Sequence, residues 1–383
     1  MRYVSAGESH GRVLTVIVTG VPAGVPVLAE RIDTDLARRQ GGYGRGGRQR
    51  IETDRATILS GVRFGTTIGS PVAMAIANRD WENWTDVMAV AGDKPKGIRE
   101  TAPRPGHADL TGVMKHGTDD ARDVLERASA RETACRVAAG GLAKALLAQL
   151  GVRVASFVSA IGEVSMAEVP DPSAVDAVAV EASEVRCPDA ATSELMKREI
   201  DAARADGESL GGVFVVTATG LVPGLGTYAE ADGRLDARLA AAVVSIPAIK
   251  GVEFGDGFAL AGLRGSGAHD EIHYERSRGF TRPTNHAGGL EGGMTNGEPL
   301  IVRAAMKPIP TLMRPLASVD IDTLVPVDAS RERSDVCAVP AAAVVAEAEV
   351  ALVLATAYTD KFGGDALGDM IAAREAYLAR IAR

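Results

Sequence analysis

This sequence has no framework of disulfides and no zinc knuckle. Its three cysteines, Cys135, Cys187 and Cys337, are widely spaced and form no CxxC pair, which excludes a disulfide-stapled secreted scaffold and fits a reducing compartment. An excess of basic charge is missing too. The formal net charge is −8 over 383 residues, which argues against a non-specific nucleic-acid binder. The opening residues, MRYVSAGESHGRV, contain no basic-then-apolar leader, so a cytoplasmic protein is expected. No low-complexity linker cuts the chain, and its strands and helices alternate without the regular repeats of a barrel. One domain over residues 1–383 is therefore expected. The long apolar run from Ala341 to Tyr358 is interrupted by Glu347 and Glu349, each costing roughly 2.5–3.5 kcal/mol at a bilayer centre. It reads as a buried helix, and no membrane partner is expected.

What is present is ordinary in bulk and unusual in its loops. Hydrophobic residues make up 46% and charged residues 24%, the proportions of a globular protein. The 43 glycines cluster where the backbone must turn sharply or approach a ligand. β-Branched runs predict strands at 13–19, 71–77, 152–161, 212–219 and 251–254. Helices are predicted over 34–40, ending at Gly41–Gly42, and over 191–205, 234–245 and 365–381. A continuous helix is predicted over 128–150, with a small-residue face that implies close packing in a larger assembly. The helix over 340–362 has Pro340 in its first turn and Gly363–Gly364 after its end, the usual asymmetry. The stretch 78–101, with Trp81 and Trp84, reads as a connecting excursion.

The strongest local signal is the loop RRQGGYGRGGRQRIETDR, in which Arg38, Arg39, Arg45, Arg48, Arg50 and Arg55 crowd together in an acidic chain. Guanidinium forks bind phosphate and carboxylate bidentately, and glycines admit backbone N–H groups to the same anion. Composition alone leaves a small anion and a solvated RNA-contacting loop about even; the lack of aromatics beyond Tyr43 favours the small anion. Gly42, Gly44 and Gly47 match GxGxxG, but a helix precedes them instead of a strand, so a dinucleotide fold is rejected. His10 in GESHG and His107 in RPGHAD sit in glycine turns where an imidazole can serve as a general acid. Either one alone would more often be a surface histidine. HDEIH, with His269 and His273, resembles a zinc motif but has Asp270 where the glutamate belongs and no third ligand downstream, so no metal is expected. Ser129 and Glu132 form S-x-x-E, a capping box for the long helix, and Arg127 and Arg131 flank the same helix entry, which suits phosphate. Asp335, before the Pro340 helix, reads as a cap or a salt-bridge partner.

In chain order the motifs GESHG, GGYGRGGRQRIETD, RPGHADLTG, RASARETACR, IPAIKGVEFGDGF, GSGAHDEI, TNHAGGLEGGMTNGE, KPIPT and ERSDVCAVPAA resemble the chorismate synthase family along almost the whole chain. The resemblance implies an α+β fold, a β-α-β sandwich with helices between antiparallel sheets, assembled as a homotetramer. It implies elimination of phosphate from 5-enolpyruvylshikimate-3-phosphate with reduced FMN (FMNH2) and no net redox change. By resemblance Ser9, Arg39, Arg45, Arg48, Arg104, Ser129, Arg131 and Arg333 bind substrate. His10 serves the leaving phosphate, His107 protonates reduced flavin, and Asp335 lies beside flavin N5. Flavin contacts carry over to Arg127, Ala128 and Ser129, to Pro247 and Ala248, to Gly292, to Lys307, Pro308, Ile309, Pro310 and Thr311, and to Arg333. Pro247 departs from the amide residue often found there, so only backbone contact is expected at that position. NADPH enters only as a source of flavin reduction, and with no separate reductase segment in the chain a monofunctional enzyme is expected. Two other classes make different predictions. A flavin oxidoreductase would oxidise one product per NAD(P)H consumed, and an RNA-binding module would bind oligonucleotides salt-sensitively without flavin.

Overall fold

The structure is a computed structural model that describes residues 1–46, 53–95, 97–167, 171, 175–276, 279–332 and 335–382. The chain begins with strands β1 (Arg2–Ala6), β2 (Val13–Thr19) and β3 (Thr57–Ile58), a small hairpin of β4 (Val62–Arg63) and β5 (Thr66–Thr67), and β6 (Val72–Ala77). Four of them form an antiparallel sheet in the order β1-β2-β6-β3. Alternation in β2 sends Leu14, Val16 and Val18 to one face, opposite Ile76, Met74 and Val72 of β6, and all six are buried. The period-2 pattern thus gives this sheet one face for the core and one that is open.

A second antiparallel sheet follows the order β10-β15-β9-β7-β8. Its strands are β7 (Arg153–Ile161), β8 (Val164–Ser165), β9 (Gly212–Thr219), β10 (Ile249–Phe254) and β15 (Leu300–Met306). Three further hairpins lie outside both sheets: β11–β12 (His273–Glu275, Gly279–Thr281), β13–β14 (Leu290–Glu291, Met294–Thr295) and β16–β17 (Ala317–Val319, Pro326–Asp328). The helices are α1 (Ala29–Gln40), α2 (Asp109–His116), α3 (Arg122–Ala128), α4 (Thr133–Gln149), α5 (Ala177–Ala182), α6 (Ala190–Asp206), α7 (Leu235–Val244), α8 (Gly265–Ala268), α9 (Val339–Phe362) and α10 (Leu367–Ile381).

Helices separate the two sheets. α4 packs on β2, α9 packs on β7 and β9, and the two helices pack on each other. The expected α+β sandwich is therefore the fold observed. α9 is mostly apolar and is buried along nearly its whole length, with 89% of its most apolar stretch inside the protein, as a central helix requires. Gly140 on α4 faces Ala348 on α9 so closely that an added Cβ would overlap that residue's Cβ and Cα. The small residues of α4 thus serve a contact inside the chain, where the sequence suggested one in a larger assembly.

One predicted helix is broken. Residues 128–150 do not run continuously, because Ser129 is extended at φ −64° and ψ 142° and a 3-10 turn spans Ala130–Glu132. The Ser129 hydroxyl accepts the Arg131 N–H at 3.3 Å, a local bond that competes with helical pairing. The expected capping box is absent as well. The Glu132 carboxylate accepts from Arg136 Nε at 2.7 Å, and Ser129 caps only the 3-10 turn. The break turns Ser129, Ala130 and Arg131 into the cavity described next.

Candidate active site

The cavity opens where the loop after β1, the end of α1, the break between α3 and α4, the α7–β10 connection, the end of β15 and the start of α9 converge. It encloses about 590 Å³. Its wall carries Ser9, His10, Arg39, Arg45, Arg104, His107, Ala128, Ser129, Arg131, Pro247, Ala248, Lys307, Ile309, Pro310, Thr311 and Asp335. Residues from loops some 300 positions apart thus share one chamber. Apolar side chains, among them Leu125, Val244, Ile246 and Val345, line the same space.

The arginines are held by buried acids and polar groups. Asp54, buried, takes Arg131 Nη1 at 2.7 Å and Arg39 Nη1 at 3.4 Å. Arg39 also donates to Thr133 Oγ1 and to the Ala130 carbonyl, at 2.9 and 3.0 Å. Arg131 Nε donates to Asn78 Oδ1 at 2.8 Å. Burial holds the Arg39 guanidinium down to about 10; Asp54 opposes this, and Arg131 and Arg45 add to it. It remains a cation at neutral pH. Arg45 pairs with Asp335 Oδ2 at 2.9 Å, and Asp335 Oδ1 accepts the Gly46 N–H at 2.7 Å. The Arg45 Nε is buried with no hydrogen-bond partner among the described residues. Three of these guanidiniums come from separate elements, and like charges so crowded call for an anion between them.

Two histidines in the cavity are oriented the same way. His10 Nδ1 lies 2.9 Å from Glu126 Oε1, and its ring stacks on Trp84 with centroids 3.8 Å apart at 21°. His107 Nδ1 lies 2.5 Å from Asp109 Oδ1, while Arg104 Nε donates to Asp109 Oδ2 at 2.8 Å and Arg104 Nη1 to Thr311 Oγ1 at 3.0 Å. A carboxylate at Nδ1 fixes the proton there and sets the orientation of each ring on the cavity wall. Burial alone would raise both carboxyls. For Asp109 the bonds from His107 and Arg104 prevail, and for Glu126 those from His10 with the charge of Arg122, so each is lowered below the usual range.

Not every expected residue reaches the cavity. Arg127 donates instead to the Ser5 and Gly7 carbonyls and to Ser5 Oγ, at 3.0, 3.1 and 2.8 Å. Pro308 is not on its wall, though its neighbours are. Gly292 sits in the β13–β14 turn beside Gly293, whose carbonyl accepts from the first residue of α7, Leu235. The cavity lies at the other end of that ten-residue helix, about 15 Å away at 1.5 Å per residue. Arg48 and Arg333 lie outside the described residues. Asp335 is not a helix cap: α9 begins after Ala338, which makes no side-chain capping bond, and Asp335 is used as the partner of Arg45. Ala248, at φ 69°, holds a left-handed conformation on the cavity wall that costs a non-glycine residue about 1–3 kcal/mol. Its carbonyl accepts the Lys307 N–H at 2.9 Å.

Comparison with known proteins agrees with this arrangement. A family model described as chorismate synthase matches residues 1–359. The chain is 58% identical over 393 residues to a chorismate synthase of Symbiobacterium thermophilum, and 57% over 384 residues to one of Moorella thermoacetica, each alignment covering 100% of both chains. A crystal structure of a chorismate synthase superposes with a TM-score of 0.81 at 41% identity, covering 100% of this chain and 98% of that one.

Proposed function

The chain belongs to the chorismate synthase family, and from that premise we propose that it eliminates phosphate from 5-enolpyruvylshikimate-3-phosphate to give chorismate, using reduced FMN without net redox change. It is then a carbon–oxygen lyase of the shikimate pathway of aromatic amino-acid biosynthesis, working in the cytoplasm. The observation that carries this reading is the meeting of Arg39, Arg45, Arg104 and Arg131 with His10 and His107 around one cavity. A phosphate and two carboxylates need several cations and a proton donor in one enclosure.

The cavity suits a flavin as well as the substrate. Its apolar wall fits a flat ring, and the buried Arg45 Nε without a partner among the described residues awaits an acceptor. Lys307, Ile309, Pro310, Thr311, Ala128, Ser129, Pro247 and Ala248 would hold FMN along that wall. Reduced FMN, when bound, supplies the electron density that a 1,4-elimination needs, because the substrate C6–H is not acidic enough for an ordinary base. The chain's own residues do the rest. Arg39 and Arg131, held rigid by Asp54, fix the anionic substrate, and Arg104 fixes His107 through their shared Asp109. His10 Nε2 donates a proton to the leaving phosphate. His107 Nε2 and the Asp335 carboxylate hold or accept a proton at the cofactor's side of the cavity. Arg39, Arg104, Arg131 and His10 are buried, which limits the water around the substrate. NADPH acts only as an outside source of flavin reduction, no nucleic acid or membrane takes part, and the enzyme works as a homotetramer. Supporting the tetramer is the open face of the four-stranded sheet, where Val4 and Ile17 stand opposite one another, 73% and 44% exposed. Anaerobic mixing with dithionite-reduced FMN and the shikimate ester tests the proposal. Phosphate release with many turnovers per reduced flavin is expected; one turnover per flavin, or none, overturns it.

A further inference from the structure

Glu126 carries no part in the chemistry proposed above, yet it holds the loop that carries His10 at three points. Its backbone carbonyl accepts the Ser9 N–H at 2.9 Å. Its Oε2 accepts the His10 backbone N–H at 2.8 Å, and its Oε1 faces His10 Nδ1 at 2.9 Å. One side chain thus fixes both the backbone and the ring of the same histidine. The opposite constraint comes from Trp84, stacked on the imidazole at 3.8 Å. Arg122 completes the cluster, donating to Glu126 Oε1 at 3.1 Å and lying 5.3 Å from the Trp84 ring. Glu126 and His10 are both buried, at 2% and 7% exposure.

We infer that Glu126 is the positioning residue of His10. Its carboxylate holds the proton on Nδ1 and fixes the orientation of the ring on the cavity wall. A free imidazole in a turn would sample both tautomers and several rotamers. A ring locked between a carboxylate and an indole samples one, which is what a group delivering a proton to a departing phosphate requires.

This inference rests on the proposed role of His10 in phosphate release, and two variants with two readouts separate it from that role. Glu126→Gln keeps a hydrogen-bond acceptor of the same shape and removes the charge. Glu126→Leu removes both. The first readout needs no substrate or flavin: in ligand-free protein carrying ¹⁵N-histidine, the ring shifts report which nitrogen of His10 is protonated. The parent and Glu126→Gln are expected to hold the proton on Nδ1, and Glu126→Leu to shift toward the Nε2–H form. A parent with the proton on Nε2, or a Glu126→Leu spectrum like the parent's, overturns the inference even in an inactive protein. The second readout is turnover with pre-reduced FMN at saturating and limiting substrate. For Glu126→Gln, kcat is expected to fall about 10–100-fold, the usual cost of losing a group that orients a reacting imidazole. KM for the shikimate ester should change by less than about threefold. An unchanged kcat, or a loss confined to KM, overturns it. Should Glu126→Leu fail to fold, Glu126→Gln alone still decides by its split between kcat and KM.

Discussion

At the scale of single residues, Asp335 is the position where the structure decides between two readings. Its place before a proline-led helix suggested a cap or a salt-bridge partner; it pairs with Arg45 and takes the Gly46 N–H, and it lies on the cavity wall. Asp335→Asn keeps an acceptor for Gly46 and loses the charge and the basicity. The variant is expected to fold normally and bind reduced FMN, with single-turnover chemistry at least ~10²-fold slower, as for loss of an acid–base group. Near-normal single turnovers would reduce Asp335 to an anchor for Arg45. His10, His107, Arg39 and Arg45 were legible because each stood in a glycine-rich turn or a basic run where packing alone does not explain it. Glu126, Asp54, Asn78 and Trp84 were not. Glu126 meets His10 across 116 positions and Arg131 meets Asn78 across 53, and no local spacing announces a contact at that range. Asp109 also went unread, although it sits only two residues after His107, near enough for a local pair.

At the scale of elements, periodicity found most of the core. The strand over 212–219 matches β9 residue for residue, and Pro340 and Gly363 bracket α9 to within a residue. The break at Ser129 was missed because a serine–turn bond is invisible to a 3.6-residue period. β1 was missed because RYVSA is too short and too polar to stand out. α9 also holds two glutamates whose roles the sequence could not separate. Glu347, buried, faces Arg38, Lys144 and Arg186 at 2.8, 2.7 and 3.4 Å. Burial would raise its carboxyl, but those cations prevail and hold it well below the usual range. Glu349 has Arg136 at 3.1 Å and the Tyr3 hydroxyl at 2.7 Å, and there burial wins and raises it. A depressed carboxyl gives stability that is complete above its unfolded value of ~4.3 and is lost as pH falls below it; a raised one weakens folding as pH climbs past the same point. Glu347→Gln should therefore cost about 3 kcal/mol or more at pH 7, through cations left buried without their partner. Glu349→Gln should be neutral or mildly stabilising at pH 7, with the difference from the parent vanishing in acid. Urea melts of both variants at pH 4.5 and 7 check this. Equal losses at pH 7 would mean that the two carboxylates share one environment.

At the scale of the whole molecule, the sandwich was not legible from residue patterns and came only with the family resemblance. The reason is topological: sheet order β1-β2-β6-β3 and β10-β15-β9-β7-β8 depends on pairings between distant strands, and periodicity shows which face of a strand is buried without showing its neighbour. Periodicity does show what lies on the other face. On the four-stranded sheet the buried residues of β2 alternate with Val13, Thr15 and Ile17, and the register lines up Val4, Ile17 and Ala73 in one row across three strands. An apolar row on an open sheet face is where a second copy is expected to pack, because a symmetric oligomer matches such a patch to itself. The homotetramer proposed above should be measurable as about four chain masses by light scattering at micromolar protein. Replacing both members of the exposed pair, Val4→Arg with Ile17→Arg, should leave the circular-dichroism spectrum unchanged, since neither side chain reaches the core. The same variant should fall to a smaller species, because opposed cations would then meet their own copies across the interface. A parent that scatters as a single chain would remove the tetramer. A double variant that keeps the parent's mass would leave the tetramer in place and assign it to another surface.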